Sequence, residues 1–192
     1  MQPFIGKPIT PGTLQQLADA YSKAYARSDI ALYSILIPDQ TFADGQVRVT
    51  VIENYIDEVM LGGANPASAS LTRSYASEMA AQRPLTRPTL QRYLLLMNDV
   101  PGATTTPGVI AGDRPDTVKL VLDTKREPIE TVVTLDTRGA ARLGRTQVQG
   151  DVYFNGYGYE GNQTRLTAAA SADFDRFVSA ALSHSATFGP SG

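Results

Sequence analysis

The stretch TLQRYLLLMNDVPG, Thr89–Gly102, decides how the chain is read. Four apolar residues, Leu94 to Met97, stand in a row, and Asn98, Asp99, Pro101 and Gly102 follow as a helix stop. The apolar run is far too short to cross a bilayer, which takes about 20 such residues. Consecutive residues on a helix point around most of its circumference. The run therefore predicts a helix gripped on two sides, by a sheet and by a second helix.

Working outward supplies both partners. Leu71, Tyr75, Ala76 and Met79 recur at helical spacing, and Pro84 closes that helix. Thr86 and Pro88 open the next one, which contains the quoted stretch. Before them, YIDEVMLGG begins with a short strand and ends in Gly62-Gly63, and ANPASAS reads as a loop. After them, TTTPGVIAG reads as an irregular strand or loop. Val118, Leu120 and Leu122 then alternate with Lys119, Val121 and Asp123. Residues 54–126 thus predict strand, helix, helix, strand, strand: an α+β unit with two helices on one face of a three-stranded sheet.

Residues 1–53 predict helix, strand, strand. Thr10 and Pro11 make a helix start, followed by Leu14, Leu17, Ala18, Tyr21 and Tyr25 on one face. Tyr33, Ile35 and Ile37 alternate with Leu32, Ser34 and Leu36 until Pro38. ADGQ, Ala43–Gln46, is a turn signal, and Val47, Val49 and Val51 form a half-buried strand.

From about Pro128 helical periodicity disappears. Thr131, Val133 and Leu135 share a face, as do Val148, Gly150, Val152 and Phe154, then Leu166, Ala168 and Ala170, then Val178, Ala180 and Leu182. Gly-, Asn- and Asp-rich clusters such as NGYGYEGNQ separate them. Short strands, apolar on one face and polar on the other, fit two architectures: an ordinary antiparallel meander or the opening of an outer-membrane barrel.

Composition narrows the function. The chain has 192 residues, 17 basic and 19 acidic, a balance that argues against a nucleic-acid binder. It has no cysteine, which excludes disulfides and cysteine-ligated zinc, and one histidine, His184. No signal peptide is visible in MQPFIGKPIT. His184 between Ser183 and Ser185 is a nucleophile pair in sequence only, because strand neighbours diverge. Glu53, Asp57 and Glu58 read as a solvated edge that discourages wrong pairing. Arg138, Arg142 and Arg145 read either as a lumen-side or periplasm-facing cluster or as solvated turn charges. No Gly-rich nucleotide loop with a following lysine occurs. The expectation is a protein that is not an enzyme, with no catalytic residues, cofactor or metal.

Several strings together resemble one family, the hemolysin secretion/activation proteins of ShlB/FhaC/HecB type, the two-partner secretion transporters of the Omp85 superfamily. YSKAYARSDIALYSILIPDQTFADGQVRVTVIENYIDEV is similar to their first periplasmic POTRA module, with Tyr25, Pro38-Asp39-Gln40, Asp44-Gly45-Gln46-Val47 and Val51 to Ile56 in the family's positions. PLTRPTLQRYLLLMNDVPG, Pro84–Gly102, resembles the most specific string of the second module. TLDTRGAARLGRTQVQGDVYFNGYGYEGNQTRLTAAAS resembles the opening barrel strands, and SHSATFGPSG the end of a later strand. The chain departs from the family at Asp29-Ile30, where Gly-Tyr is usual, and at Asn54, where glycine is usual. It departs again at Thr137, which replaces an asparagine, and at Gly161-Asn162, which replaces Gly-Asp.

The resemblance implies a fold and a function. The fold is α+β: POTRA-type modules, partial at 1–53 and complete at 54–126, then at 127–192 the antiparallel strands of an incomplete transmembrane β-barrel. The family's long inward barrel loop is not in the chain, which reads as part of a longer transporter. The implied function is an outer-membrane translocator with its modules in the periplasm. Its implied partners are outer-membrane lipid and a secreted exoprotein with an N-terminal secretion domain. Recognition is expected by β-augmentation: the client adds itself as a strand, and its backbone supplies the hydrogen bonds. The candidate groove lies between the quoted helix and residues 101–110, with Gln91, Arg92, Thr104 and Thr106 as client-binding residues. For Arg92 a local role, such as pairing with Asp99, stays open; for Tyr93, a place in the core. Two other functions stay open: an Omp85-type assembly factor, and a soluble periplasmic adaptor in which 127–192 is a compact sheet.

Overall fold

The computed structural model describes residues 4–42, 44–63 and 69–189. Most of the loop predicted at ANPASAS, Ala43 of the ADGQ turn and the end of SHSATFGPSG lie outside the described residues. Along the chain run α1 (Pro11–Tyr25), β1 (Tyr33–Leu36), β2 (Thr50–Glu53), β3 (Tyr55–Gly63), α2 (Ser70–Ala81), α3 (Arg87–Asn98), β4 (Ala103–Ala111) and β5 (Thr117–Arg126). Then come β6 (Ile129–Asp136), a single 3-10 turn (Ala141–Leu143), β7 (Gln147–Asn155), β8 (Asn162–Ser171) and β9 (Val178–Ala186). The strands form three sheets, ordered β1-β2, β3-β5-β4 and β6-β7-β8-β9. The architecture is α+β, as the sequence predicts.

Packing divides the chain into two units. One gathers Met1–Met60, Ser77–Tyr93 and Val109–Val121; the other gathers Leu61–Ala76, Leu94–Gly108 and Leu122–Gly192.

In the first unit, α1 begins at the predicted cap. Thr10 Oγ1 accepts the Thr13 amide at 3.2 Å and Thr13 Oγ1 accepts the Thr10 amide at 2.8 Å, so two otherwise orphaned donors are satisfied reciprocally. α1 rests on β1: the Tyr25 and Tyr33 rings are 5.2 Å apart, and the Tyr33 hydroxyl donates to the Ser22 carbonyl at 3.1 Å. β1 and β2 are antiparallel, with Tyr33 opposite Glu53 and Leu36 opposite Thr50. The strand predicted from Val47 starts only at Thr50. Ahead of it, the backbone of Arg48 is paired by the side chain of Gln40 rather than by another strand.

The unusual residues of this unit are accommodated. Asp29-Ile30 acts through its backbone: the Asp29 carbonyl accepts the Arg87 amide at 2.6 Å, and Ile30 bridges to Thr86. Backbone pairing is indifferent to the side chains there. Asn54 is buried, its Nδ2 donating to Ser34 Oγ at 2.6 Å.

In the second unit, the helix stop works as the sequence predicts. α3 ends at Asn98, whose Nδ2 donates to the Leu94 carbonyl at 3.0 Å while its Oδ1 accepts the Thr105 amide at 3.1 Å. One side chain thereby ties the helix end to the start of β4. Most of the apolar run is covered, as expected: Met97 is fully buried and Leu94 and Leu96 are half-buried, while Leu95 is 66% exposed. TTTPGVIAG also proves more regular than predicted, forming most of the nine-residue strand β4. β4 is the outer strand of its sheet, a position that tolerates Pro107.

The region from 127 folds as predicted into four antiparallel strands in chain order. Only Glu127 and Pro128 separate β5 from β6.

Candidate functional site

Each predicted client-binding residue is exposed in its own unit. Gln91 and Arg92 lie on α3 in the first unit, and the Arg92 guanidinium sits 5.9 Å from the Tyr93 ring. Tyr93 is half-buried. Thr104 and Thr106 lie on β4 in the second unit. There the strand alternates: Ala103 and Thr105 are buried, Thr104 and Thr106 are exposed. The Thr105 hydroxyl meets the Thr124 hydroxyl of β5 at 3.1 Å. β5 lies on one side of β4, and among the described residues no strand pairs with the other. An outer strand of this kind presents a row of unpaired backbone donors and acceptors, a template for an added strand.

The four-stranded sheet has two unlike faces, and its register lines them up in rows. On one face the rows are Thr131–Val152–Leu166–Leu182, Val133–Gly150–Ala168–Ala180 and Leu135–Val148–Ala170–Val178. This apolar face is open to solvent: Val133 is 72% exposed, Leu135 65%, Val178 70% and Leu182 70%. An open depression of about 620 Å³ lies over it, where Gly150, Ala168 and Ala180 leave room between larger neighbours. So wide an uncovered apolar surface marks an interaction site rather than a water-facing sheet. The opposite face is polar. Asp151, 3% exposed, accepts from Arg165 Nε at 2.8 Å, Thr167 Oγ1 at 2.6 Å and Gln149 Nε2 at 2.8 Å. Arg165 also lies 5.3 Å from the Tyr153 ring.

His184 stands on β9 across from Thr164 of β8, and the Thr164 hydroxyl and His184 Nδ1 are 2.8 Å apart. Its sequence neighbours Ser183 and Ser185 oppose Arg165 and Gln163 in the register, on the other face. Glu53, Asp57 and Glu58 are exposed, and Glu58 pairs with Lys119 at 2.9 Å. Arg138, Arg142 and Arg145 occupy the β6–β7 connection, at the end of the sheet opposite the β7–β8 turn, and are exposed. Arg138 pairs with Asp136 at 3.4 Å.

Sequence reading missed one residue altogether. Glu160, inside the turn-rich string NGYGYEGNQ, has a fully buried side chain. Nothing in its local spacing sets it apart from a solvated turn charge.

Comparison with known proteins agrees with this geometry. Residues 1–54 match the model of the ShlB-type POTRA domain. The chain is 22% identical over 172 residues to the heme/hemopexin transporter protein HuxB of Haemophilus influenzae, in two strains, across 88% of this chain and 30% of that protein. Its fold superposes on CdiB from Escherichia coli with a TM-score of 0.62 at 20% identity, covering 91% of this chain and 32% of that one. The chain thus spans about a third of the length of the relatives it matches. A ShlB-type POTRA domain is thus shown for residues 1–54, and along nearly all of its length the chain is similar to HuxB in sequence and to CdiB in fold.

Proposed function

We propose that this chain is the part of an outer-membrane translocator that receives an unfolded exoprotein in the periplasm and leads it to a β-barrel. In this reading 1–53 is a partial first POTRA module, 54–126 the second, and 127–192 the first strands of the barrel. The observation that carries it is the outer edge of β4, with Thr104 and Thr106 exposed on alternate positions beside an open backbone. A client strand added there gains main-chain hydrogen bonds whatever its sequence, which suits cargo that must stay unfolded. In the same unit the exposed Leu95 offers the client an apolar contact, and in the first unit Gln91 and Arg92 are by themselves candidates for polar ones. The apolar rows of β6–β9 face lipid and the Asp151 face lines the lumen, the alternation of a membrane barrel.

Site-specific photo-crosslinking tests the reading. A crosslinker at Thr104 or Thr106, in the whole transporter secreting its partner, is expected to capture that partner. One at Thr41, exposed in the first unit, is not. Efficient secretion with no adduct at either threonine overturns the edge-strand reading. The adaptor alternative is disfavoured by the uncovered Val133, Leu135, Val178 and Leu182, which a soluble compact sheet would bury. Adducts with many unrelated barrel precursors, and none with a dedicated partner, would favour the assembly factor.

A further inference from the structure

Glu160 sits in the turn between β7 and β8, yet its carboxylate is spent on a helix 88 residues earlier in the chain. Oε2 accepts the amides of Leu71 at 2.8 Å and Thr72 at 3.1 Å, the open donors of the first turn of α2. Oε1 accepts the Thr72 hydroxyl at 2.5 Å and pairs with the Arg126 guanidinium, which reaches it from the end of β5. The Glu160 side chain is 0% exposed and that of Arg126 18% exposed, so the pair is largely out of water. Helix starts are normally capped by a residue next to them in sequence. Here the cap comes from another sheet.

Two neighbouring contacts run along the same line. Gly161 is buried, and a β-carbon there would meet the Thr187 carbonyl oxygen at 2.5 Å, Tyr159 Cε1 at 2.9 Å and Leu71 Cδ2 at 3.3 Å. Asn155, buried at the end of β7, donates Nδ2 to the Glu127 carbonyl at 3.0 Å, and the Glu127 amide donates to the Gly102 carbonyl at 2.7 Å. The start of α2 and the start of β4 are therefore both tied to one end of the β6–β9 sheet. All these residues lie in the second unit.

We propose that Glu160 is a positioning residue: a remote cap that clamps the start of α2 to the first turn of the barrel sheet. It holds the client-receiving edge of β4 at a constant offset from the strands that carry the client onward. The inference rests on the proposed translocator function for its consequence, but the clamp itself is a physical claim that stands or falls separately. A carboxylate is needed because it accepts three donors and the Arg126 charge at once. Glutamine keeps only one acceptor oxygen, and alanine none.

The test uses the whole transporter in vesicles, with Glu160→Gln, Glu160→Ala and Arg126→Ala. Amide exchange at Leu71 and Thr72 is expected to accelerate at least tenfold in Glu160→Ala and less in Glu160→Gln, while the β6–β9 amides keep their protection. Spin labels at Ser70 and Ser179 are expected to give one narrow distance in the parent and a broadened one in Glu160→Ala. A substitution that only lowered stability would leave that distance unchanged below the melting point. Unchanged exchange and an unchanged distance in Glu160→Ala overturn the clamp. If Glu160→Ala unfolds the protein, Glu160→Gln decides on the same two readouts, since it keeps the size of the side chain and loses one acceptor oxygen; unchanged exchange and distance there overturn the clamp, and Arg126→Ala shows how much of the effect depends on the paired charge. Broadened distances with undiminished secretion overturn the positional role while leaving the photo-crosslinking result at Thr104 and Thr106 to judge the edge-strand reading independently.

Discussion

Gln40 and Arg48 pair as two strands would, although one of them contributes only a side chain. Gln40 Oε1 accepts the Arg48 amide at 2.7 Å, and Gln40 Nε2 donates to the Arg48 carbonyl at 3.0 Å and the Pro38 carbonyl at 3.1 Å. The carboxamide imitates a peptide group and closes the loop ahead of β2. It gives the Pro38-Asp39-Gln40 string a physical purpose.

Gln40→Ala removes both bonds to Arg48 at a half-buried site. Thermal or urea unfolding is expected to show a loss of about 1 kcal/mol. Gln40→Glu keeps an acceptor for the Arg48 amide but has no donor for the carbonyl, so it is expected to recover only part of the loss. Equal stability of all three proteins would remove this account of the motif.

Gly102 combines a left-handed backbone, φ +64°, with a crowded site. An added β-carbon would stand 2.4 Å from the Glu127 carbonyl oxygen and 2.6 Å from Asn155 Cβ. Gly102→Ala is expected to destabilise by more than about 2 kcal/mol, since the backbone penalty alone is about 1–2. Gly102→Asn, which tolerates the backbone better, is expected to fare no better because the collision remains. A clear rescue by asparagine would assign the cost to φ rather than to crowding.

Val133 and Ser179 lie on opposite faces of the same sheet. If the apolar rows face lipid, Val133→Lys is expected to lower folding stability in vesicles by about 2–4 kcal/mol. Ser179→Lys, on the polar face, is expected to fold nearly as well as the parent. Equal tolerance at the two positions would contradict the lipid-facing assignment.

Lys119 lies between Glu58 at 2.9 Å and Asp113 at 3.1 Å. Its hydrogen bonds to Glu58 first, and then to Asp113, hold its pKa above the ordinary lysine value. A raised folded pKa means that the stabilisation is complete below the unfolded value, about 10.4, and disappears as pH rises through the folded one. The stability gap between the parent and Lys119→Met is therefore expected to be constant up to about pH 10 and to shrink above it. A gap that persists at high pH would place the effect in packing rather than charge.

The local sequence determined the elements. Thr10 and Pro11 mark the start of α1, Asn98 and the Val-Pro-Gly after Asp99 mark the end of α3, and the alternations at Val118 and in 129–186 mark strands. Each of these signals lies within a few residues of the element it specifies: a cap, a stop, a period of two or of 3.6. The sequence also placed Thr104 and Thr106 among its candidates, though it read their strand as irregular, since Pro107 and Gly108 in a run weigh against a strand until its edge position is known.

Tertiary structure decided what depends on partners distant along the chain. Whether Leu95 is covered depends on what packs against α3, not on the run that contains it, and it stands 66% exposed. Glu160 lies in a string of turn residues and looks solvated; it is buried because Leu71, Thr72 and Arg126 converge on it from 34 to 89 residues away. Periodicity records only which side of an element is apolar. It cannot record which remote donors a single carboxylate will meet, because that is settled when the elements pack and every buried charge must find its partners.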